Sequence, residues 1–245
     1  MLPMRMTRLA GRAGVTSAWE LARREAGATA ALLVLALCAW TFLGVADEVR
    51  EGETAAFDRR LLLSLRTGDG NEPVGPHWLE IAAADLTALG SIAVLALLVL
   101  MVSGLFAALR RRREALVVLL ASGGGILISQ GLKQLFGRER PDAALRAVEA
   151  MNPSFPSGHA MLSAAVFLTL GALSARYVRR KRVKAYIVGA AVTATLLVGC
   201  TRVYLGVHWP SDVLAGWVLG AAWAMVCWLG AWAWDRPWRA PRVQT

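Results

Sequence analysis

The chain has 245 residues, 56% of them apolar and 18% charged, with a mean hydropathy of +0.48. One soluble core of this size does not use that much apolar material, which excludes a disordered chain and an ordinary cytosolic domain. The 27 Lys plus Arg against 17 Asp plus Glu give a net charge of +10, compatible with nucleic acid, an anionic membrane or a phosphate ligand until the charges are placed along the chain.

Residues 1–25 carry Arg5, Arg8, Arg12, Arg23 and Arg24 and read as a tail. Residues 26–46 contain no charge over 21 positions, enough to cross hydrocarbon about 30 Å thick. The run exceeds the roughly 7–15 apolar residues of a secretory signal, so it is expected to remain as a first span. Residues 47–85 form the one long extramembrane segment. Phe57, Leu61 and Leu65 stand there at helical spacing, which suggests a short interfacial helix. Leu62 and Leu63 spoil its apolar face, and Gly68, Gly70, Pro73, Gly75 and Pro76 interrupt the rest, so the segment is expected to hug the surface as a loop.

Five further uncharged runs lie at 86–109, 115–132, 160–175, 185–201 and 213–234. The two shortest gain a turn from Ser157, Gly158 and Arg202 at interfacial depth. Together the six runs hold 118 residues, too many for the buried strands or helices of one soluble core. The expected fold is all-α, an integral membrane bundle of six transmembrane helices over 26–235, with tails at 1–25 and 236–245. Cys38, Cys200 and Cys227 all fall inside spans and are expected to pack rather than to form a disulfide framework. Gly123, Gly124, Gly125, Gly216 and Gly220 are expected to let helices approach closely.

Lys and Arg favour cytoplasmic loops. The N-terminal tail, the turn Arg110–Arg113, the segment from Arg176 to Lys184 and the C-terminus place 18 positive and 4 negative groups on one face. The other face holds 9 positive and 13 negative groups. Both termini are therefore expected in the cytoplasm. The basic balance is then a topology signal that does not require nucleic acid.

This topology brings three polar stretches to the outer face. In the first, Lys133 and Arg140 are seven residues apart. On a continuing helix they would point the same way and form an anion site, although snorkelling anchors would look alike. In the second, Ser157 can cap the helix beginning at Gly158, whose free N–H groups and dipole favour a phosphate within reach of His159. Simple capping would use the same residues. In the third, Arg202 precedes His208, Trp209, Pro210, Ser211 and Asp212. Pro210 suits a first helical turn, which puts Asp212 where it can fix the His208 tautomer, while Arg202 offers a fork for phosphate oxygens. An interfacial His and a capping Asp are the plainer alternative. Two of the three histidines lie in these stretches, and His77 has no role. Cations, imidazoles and one carboxylate gathered on one face suit phosphoryl transfer, in which charge neutralisation supplies most of the catalysis.

Lys-x6-Arg-Pro, Pro-Ser-Gly-His and Arg-x5-His-x3-Asp, in this order and spacing, resemble the three-part signature of the type 2 phosphatidic acid phosphatase (PAP2) superfamily. The resemblance covers nearly all of the chain and points to its bacterial integral-membrane lipid phosphatases rather than to the soluble vanadium haloperoxidases. It implies that His208 attacks phosphorus to form a phosphohistidine, that Asp212 orients it, and that His159 protonates the leaving oxygen and later activates water. It implies further that Lys133, Arg140, Ser157, Gly158 and Arg202 bind the phosphate, without a metal or other cofactor. Where the family usually has Ser, this chain has Thr201. Substrates of bacterial relatives include undecaprenyl diphosphate, phosphatidic acid, phosphatidylglycerol phosphate and lipid A, and the implied location is the bacterial cytoplasmic (inner) membrane with the site facing outward. Two other readings remain: a zinc site built from His159, His208 and Asp212, which the nearby cations oppose, and a non-catalytic protein that binds or transports an anionic lipid, which the scarcity of ionisable groups inside the spans opposes.

Overall fold

The computed structural model describes residues 18–68, 72–148 and 152–234. The expected tails fall for the most part outside these residues. Eight α-helices and one short 3-10 turn, with no strand among the described residues, make up the chain: α1 (Ala18–Glu51), α2 (Ala55–Leu63), α3 (His77–Ala88), α4 (Ile92–Ala108), α5 (Arg112–Phe136), the 3-10 turn Ala143–Leu145, α6 (Gly158–Arg176), α7 (Lys181–Tyr204) and α8 (Pro210–Trp234). The apolar part of α1, together with α5, α6, α7 and α8, gives five helices individually long and apolar enough to span a membrane.

The second expected span, 86–109, is not one straight helix. It is divided between the end of α3 and α4, which meet at 46° and together make a sixth candidate span. The break has a local chemical cause. Ser91 leaves the helical region at φ −70° and ψ 149° and caps α4 by accepting the Val94 N–H at 3.3 Å. Gly90 fills the gap because a Cβ there would collide with Val198 Cγ1 and stand 3.1 Å from the His159 carbonyl oxygen.

The segment 47–85 also departs from the surface loop expected of it. It holds the end of α1, all of α2 and most of α3. The face that α2 turns inward is Asp58 and Leu62, both essentially inaccessible, whereas Phe57 and Leu61 are exposed. Leu62 packs with Ala160, Val203 and Val213, so helical spacing is present but the buried stripe lies one residue away from the one read in the sequence.

Helix α6 is central. Ala160, Met161, Ala164, Ala165 and Val166 are all buried, and it packs against α5, α7 and α8. Gly216 and Gly220 make the α8 contact possible: a Cβ on Gly216 would stand 2.7 Å from the Ser157 carbonyl oxygen, and one on Gly220 would strike that of Met161. Gly124 and Gly125 meet Trp223 and Leu162 in the same way, whereas Gly123 faces open space. The described cysteines are free thiols; Cys227 packs on a core cluster, and Cys200 is exposed on α7. Leu32, Leu33, Leu37, Leu97, Leu100 and Met101 present apolar surface outward, as lipid-facing helices require.

Candidate active site

The C-terminal ends of α5 and α7 and the N-terminal ends of α6 and α8 meet at one end of the bundle. Arg110–Arg113 and Arg179–Arg182 lie at turns joining the opposite ends of the helices. Lys133, Arg140, Gly158, His159, Arg202 and His208 all line one cavity of about 220 Å³. Three stretches separated in sequence therefore share a single pocket.

Lys133 and Arg140 do not converge by helical repeat. Helix α5 stops at Phe136, and Gly137 takes the left-handed conformation at φ 56°, donating its N–H to the Lys133 carbonyl at 3.1 Å. The chain then turns back and delivers Arg140 from outside the helix. Both cations also hold backbone: Lys133 Nζ donates to the Pro153 carbonyl at 2.5 Å, and Arg140 to those of Asn152 and Val207, each at 2.6 Å.

Ser157 is the cap of α6, its Oγ accepting the Ala160 N–H at 3.5 Å. It is fully buried and does not line the cavity, whereas Gly158 does, with room for a Cβ only 3.4 Å from Ser129 Oγ. His159 comes next, half-buried. Arg202 is 6% exposed, bonds Thr87 Oγ1 at 3.3 Å and keeps an unpartnered Nε. The neighbouring Thr201 hydroxyl donates to the Val198 carbonyl at 2.7 Å within α7. A Ser can make the same bond, and Thr201 does not line the cavity.

His208 precedes α8, and Asp212 lies in that helix's first turn. The imidazole Nδ1 is 3.4 Å from both Asp212 Oδ2 and Ser154 Oγ, while Nε2 is 3.2 Å from Arg140 Nη1. With Nδ1–H shared between two oxygens, Nε2 keeps a lone pair, which accepts from Arg140. Burial drives the His208 pKa down to about 3 against the opposing pull of Asp212, so the ring is neutral at physiological pH. Burial likewise lowers that of Arg140.

Asp212 is held more completely than a His–Asp pair alone requires. Its Oδ2 accepts from Ser154 Oγ at 2.5 Å and from the Trp209 N–H at 2.9 Å, and its Oδ1 accepts from Arg138 at 2.7 Å. These bonds occupy the carboxylate that a zinc site would need. Among the described residues no three His, Cys, Asp or Glu side chains are arranged to hold a metal ion. Ser154, Arg138 and Asp58 carry no recognisable spacing signal. Gly137, as a helix stop, is the one available hint that Arg138 leaves the α5 face.

The model of the PAP2 superfamily matches residues 114–236. The chain belongs to the PAP2 superfamily. Phosphatidylglycerophosphatase B of Bacillus subtilis strain 168 is 35% identical over 147 residues, which cover 58% of this chain and 70% of that protein. Undecaprenyl-diphosphatase of Sulfolobus acidocaldarius is 33% identical over 101 residues, 39% of this chain and 45% of that one. In three dimensions this PAP2 chain is similar to the crystal structure of the transmembrane PAP2 type phosphatidylglycerolphosphate phosphatase from Bacillus subtilis, with a TM-score of 0.72 and 27% identity over 84% of this chain and 98% of that one. It is a multi-pass membrane protein and a lipid phosphatase of the PAP2 type.

Gly90 closes one wall of the PAP2 pocket directly against His159. Gly90→Ala forces the α3–α4 turn and the start of α6 apart, because one obstacle is backbone and cannot rotate away. Its kcat is expected to fall by about 10- to 100-fold, with the protein still folded, as measured by phosphate release beside a thermal melt in detergent. Activity within about twofold of wild type would show that the wall is not rigid.

Proposed function

We propose that the chain removes a phosphate from a lipid phosphate or diphosphate of the undecaprenyl diphosphate, phosphatidic acid or phosphatidylglycerol phosphate type, with the site on the extracytoplasmic side of a bacterial cytoplasmic membrane. The observation that carries this reading is that both imidazoles, Lys133, Arg140 and Arg202 line one cavity at one end of a membrane bundle. The arginine-rich turns at the other end support the sidedness.

In the first step His208 Nε2 attacks phosphorus in line with the lipid oxygen. The N–P bond forms, the P–O bond breaks, and His159 gives its proton to the departing oxygen. Arg140 shifts from the Nε2 lone pair to a phosphate oxygen as the anion enters. Lys133, Arg140, Arg202 and the Gly158 backbone neutralise the equatorial oxygens, and Ser157 contributes by capping the helix whose N–H groups face them. In the second step His159 takes a proton from water, the resulting oxygen attacks phosphorus, and the N–P electron pair returns to His208. Asp212 stabilises the imidazolium between the two steps.

The cavity also has an apolar wall of Ile92, Ile126 and Leu162, with Ser129 and Gln130 on α5. That mixture suits a headgroup with the first carbons of its tail. The purified chain in detergent is expected to release inorganic phosphate from at least one of these three lipids, to keep that activity in EDTA, and to be inhibited competitively by vanadate, which mimics five-coordinate phosphorus. Binding of the lipids with no phosphate release from any of them would leave the transport reading instead. Loss of activity in EDTA with recovery in zinc would restore the metal reading.

A further inference from the structure

Arg138 lies between Lys133 and Arg140 in sequence but does not line the cavity. Its guanidinium bridges two buried carboxylates. One nitrogen donates to Asp212 Oδ1 at 2.7 Å and Ser211 Oγ at 2.8 Å, and the other to Asp58 Oδ2 at 2.8 Å and Thr54 Oγ1 at 3.1 Å. Asp58, at 1% exposure, is itself fixed by Ser211, whose N–H and hydroxyl donate to it at 2.9 and 2.6 Å. We infer that Arg138 is a positioning residue for the nucleophile, holding Asp212 from the side opposite His208, and that Asp58 makes the short helix α2 part of the apparatus that aims the imidazole.

Two physical consequences separate this from a simple staple. The guanidinium occupies Oδ1, so the carboxylate cannot rotate and its Oδ2 stays directed at Ser154, the Trp209 N–H and His208 Nδ1. The buried set of two carboxylates and one guanidinium also carries a formal charge of −1. An Arg138–Asp212 pair alone is neutral and acts on a developing imidazolium only as a dipole, with its carboxylate 3.4 Å from the ring and its guanidinium on the other carboxylate oxygen. With Asp58 included, the set is balanced when His208 becomes a cation on phosphorylation. Arg138 and Asp58 thus act when charge appears on His208 and not when substrate binds.

The inference rests on His208 being the nucleophile, and the test keeps the two claims apart. Arg138→Gln, Asp58→Asn, Asp212→Asn and Arg138→Gln/Asp212→Asn are purified in detergent, and kcat, KM and melting temperature are measured on the best lipid phosphate. Arg138→Gln is expected to lower kcat about 100-fold with KM within about threefold, and to cost less than about threefold when added to Asp212→Asn. Asp58→Asn preserves size but turns one acceptor into a donor facing either Arg138 or the Ser211 N–H, and is expected to lower kcat about tenfold at unchanged KM. The same factor for Arg138→Gln in both backgrounds, or a raised KM with kcat retained, would overturn the proposal. Should Arg138→Gln fail to fold, Asp58→Asn decides, and wild-type kcat in that variant refutes it. None of these outcomes bears on the phosphatase reading, which fails only if the wild-type chain releases no phosphate.

Discussion

His208→Ala is expected to abolish turnover, lowering kcat by at least about 10,000-fold while the protein still inserts and folds. No other side chain near the phosphate site supplies an equivalent nitrogen. His159 is the one other imidazole lining the cavity, and the proposed mechanism engages it as the proton carrier. The wild-type ring needs no base to activate it, since burial keeps it neutral and the Nδ1–H contacts leave Nε2 unprotonated. The measurement is phosphate release, together with quenching in alkaline detergent after mixing with radiolabelled substrate. Wild type should yield an acid-labile, base-stable phosphoenzyme that the variant lacks. A variant that still turns over, or that still forms such an adduct, would move the nucleophile elsewhere.

Asp212→Asn has the second largest expected effect, a loss in kcat of about 10,000-fold with KM changed only a few-fold. The amide matches the carboxylate in size but not in its hydrogen-bond roles. Oδ2 currently accepts from Ser154, Trp209 and His208 together, and Oδ1 accepts from Arg138. An amide NH2 at either position meets a donor, and the remaining oxygen cannot serve both sides. The His208 tautomer is then free to reverse, placing its proton on the atom proposed to attack. Folding is expected to survive, because Arg138 retains Asp58 as a charge partner. The stability loss should stay below the roughly 3–5 kcal/mol expected for an unpaired buried charge. Steady-state kinetics beside a denaturation curve separates the two effects. A variant with normal kcat would show that Asp212 serves the fold alone.

The class of fold was legible because membrane spans announce themselves by uncharged length, and the six runs correspond to the helices that build the bundle. The break at Gly90 was not, since a single glycine in an apolar run is compatible with a straight helix until Val198 and His159 are seen against it. The three motifs marked Lys133, Arg140, Gly158, His159, Arg202 and His208, but not the polar Ser129, Gln130 and Asn152 that line the cavity with them. The manner of their meeting was hidden: Lys133 and Arg140 suggested one helical face, but Gly137 ends the helix and a reversal of the chain brings them together. Ser154 and Asp58 were invisible for a different reason. Their partners Asp212 and Arg138 lie far away in sequence, and only packing of α2 against α8 reveals a carboxylate in an exposed-looking amphipathic segment to be part of the core.

Gln130 lines the same cavity yet is exposed on the flank of α5, and Ile92 approaches from the first turn of α4. Entry along that flank, on a helix apolar enough to span a membrane, would let a substrate present its phosphate while its tail stays dissolved among its neighbours. Encounter then becomes a two-dimensional search. The quantity that governs rate is the mole fraction of substrate in the lipid or detergent phase, and diluting the whole suspension with buffer should leave turnover largely unchanged.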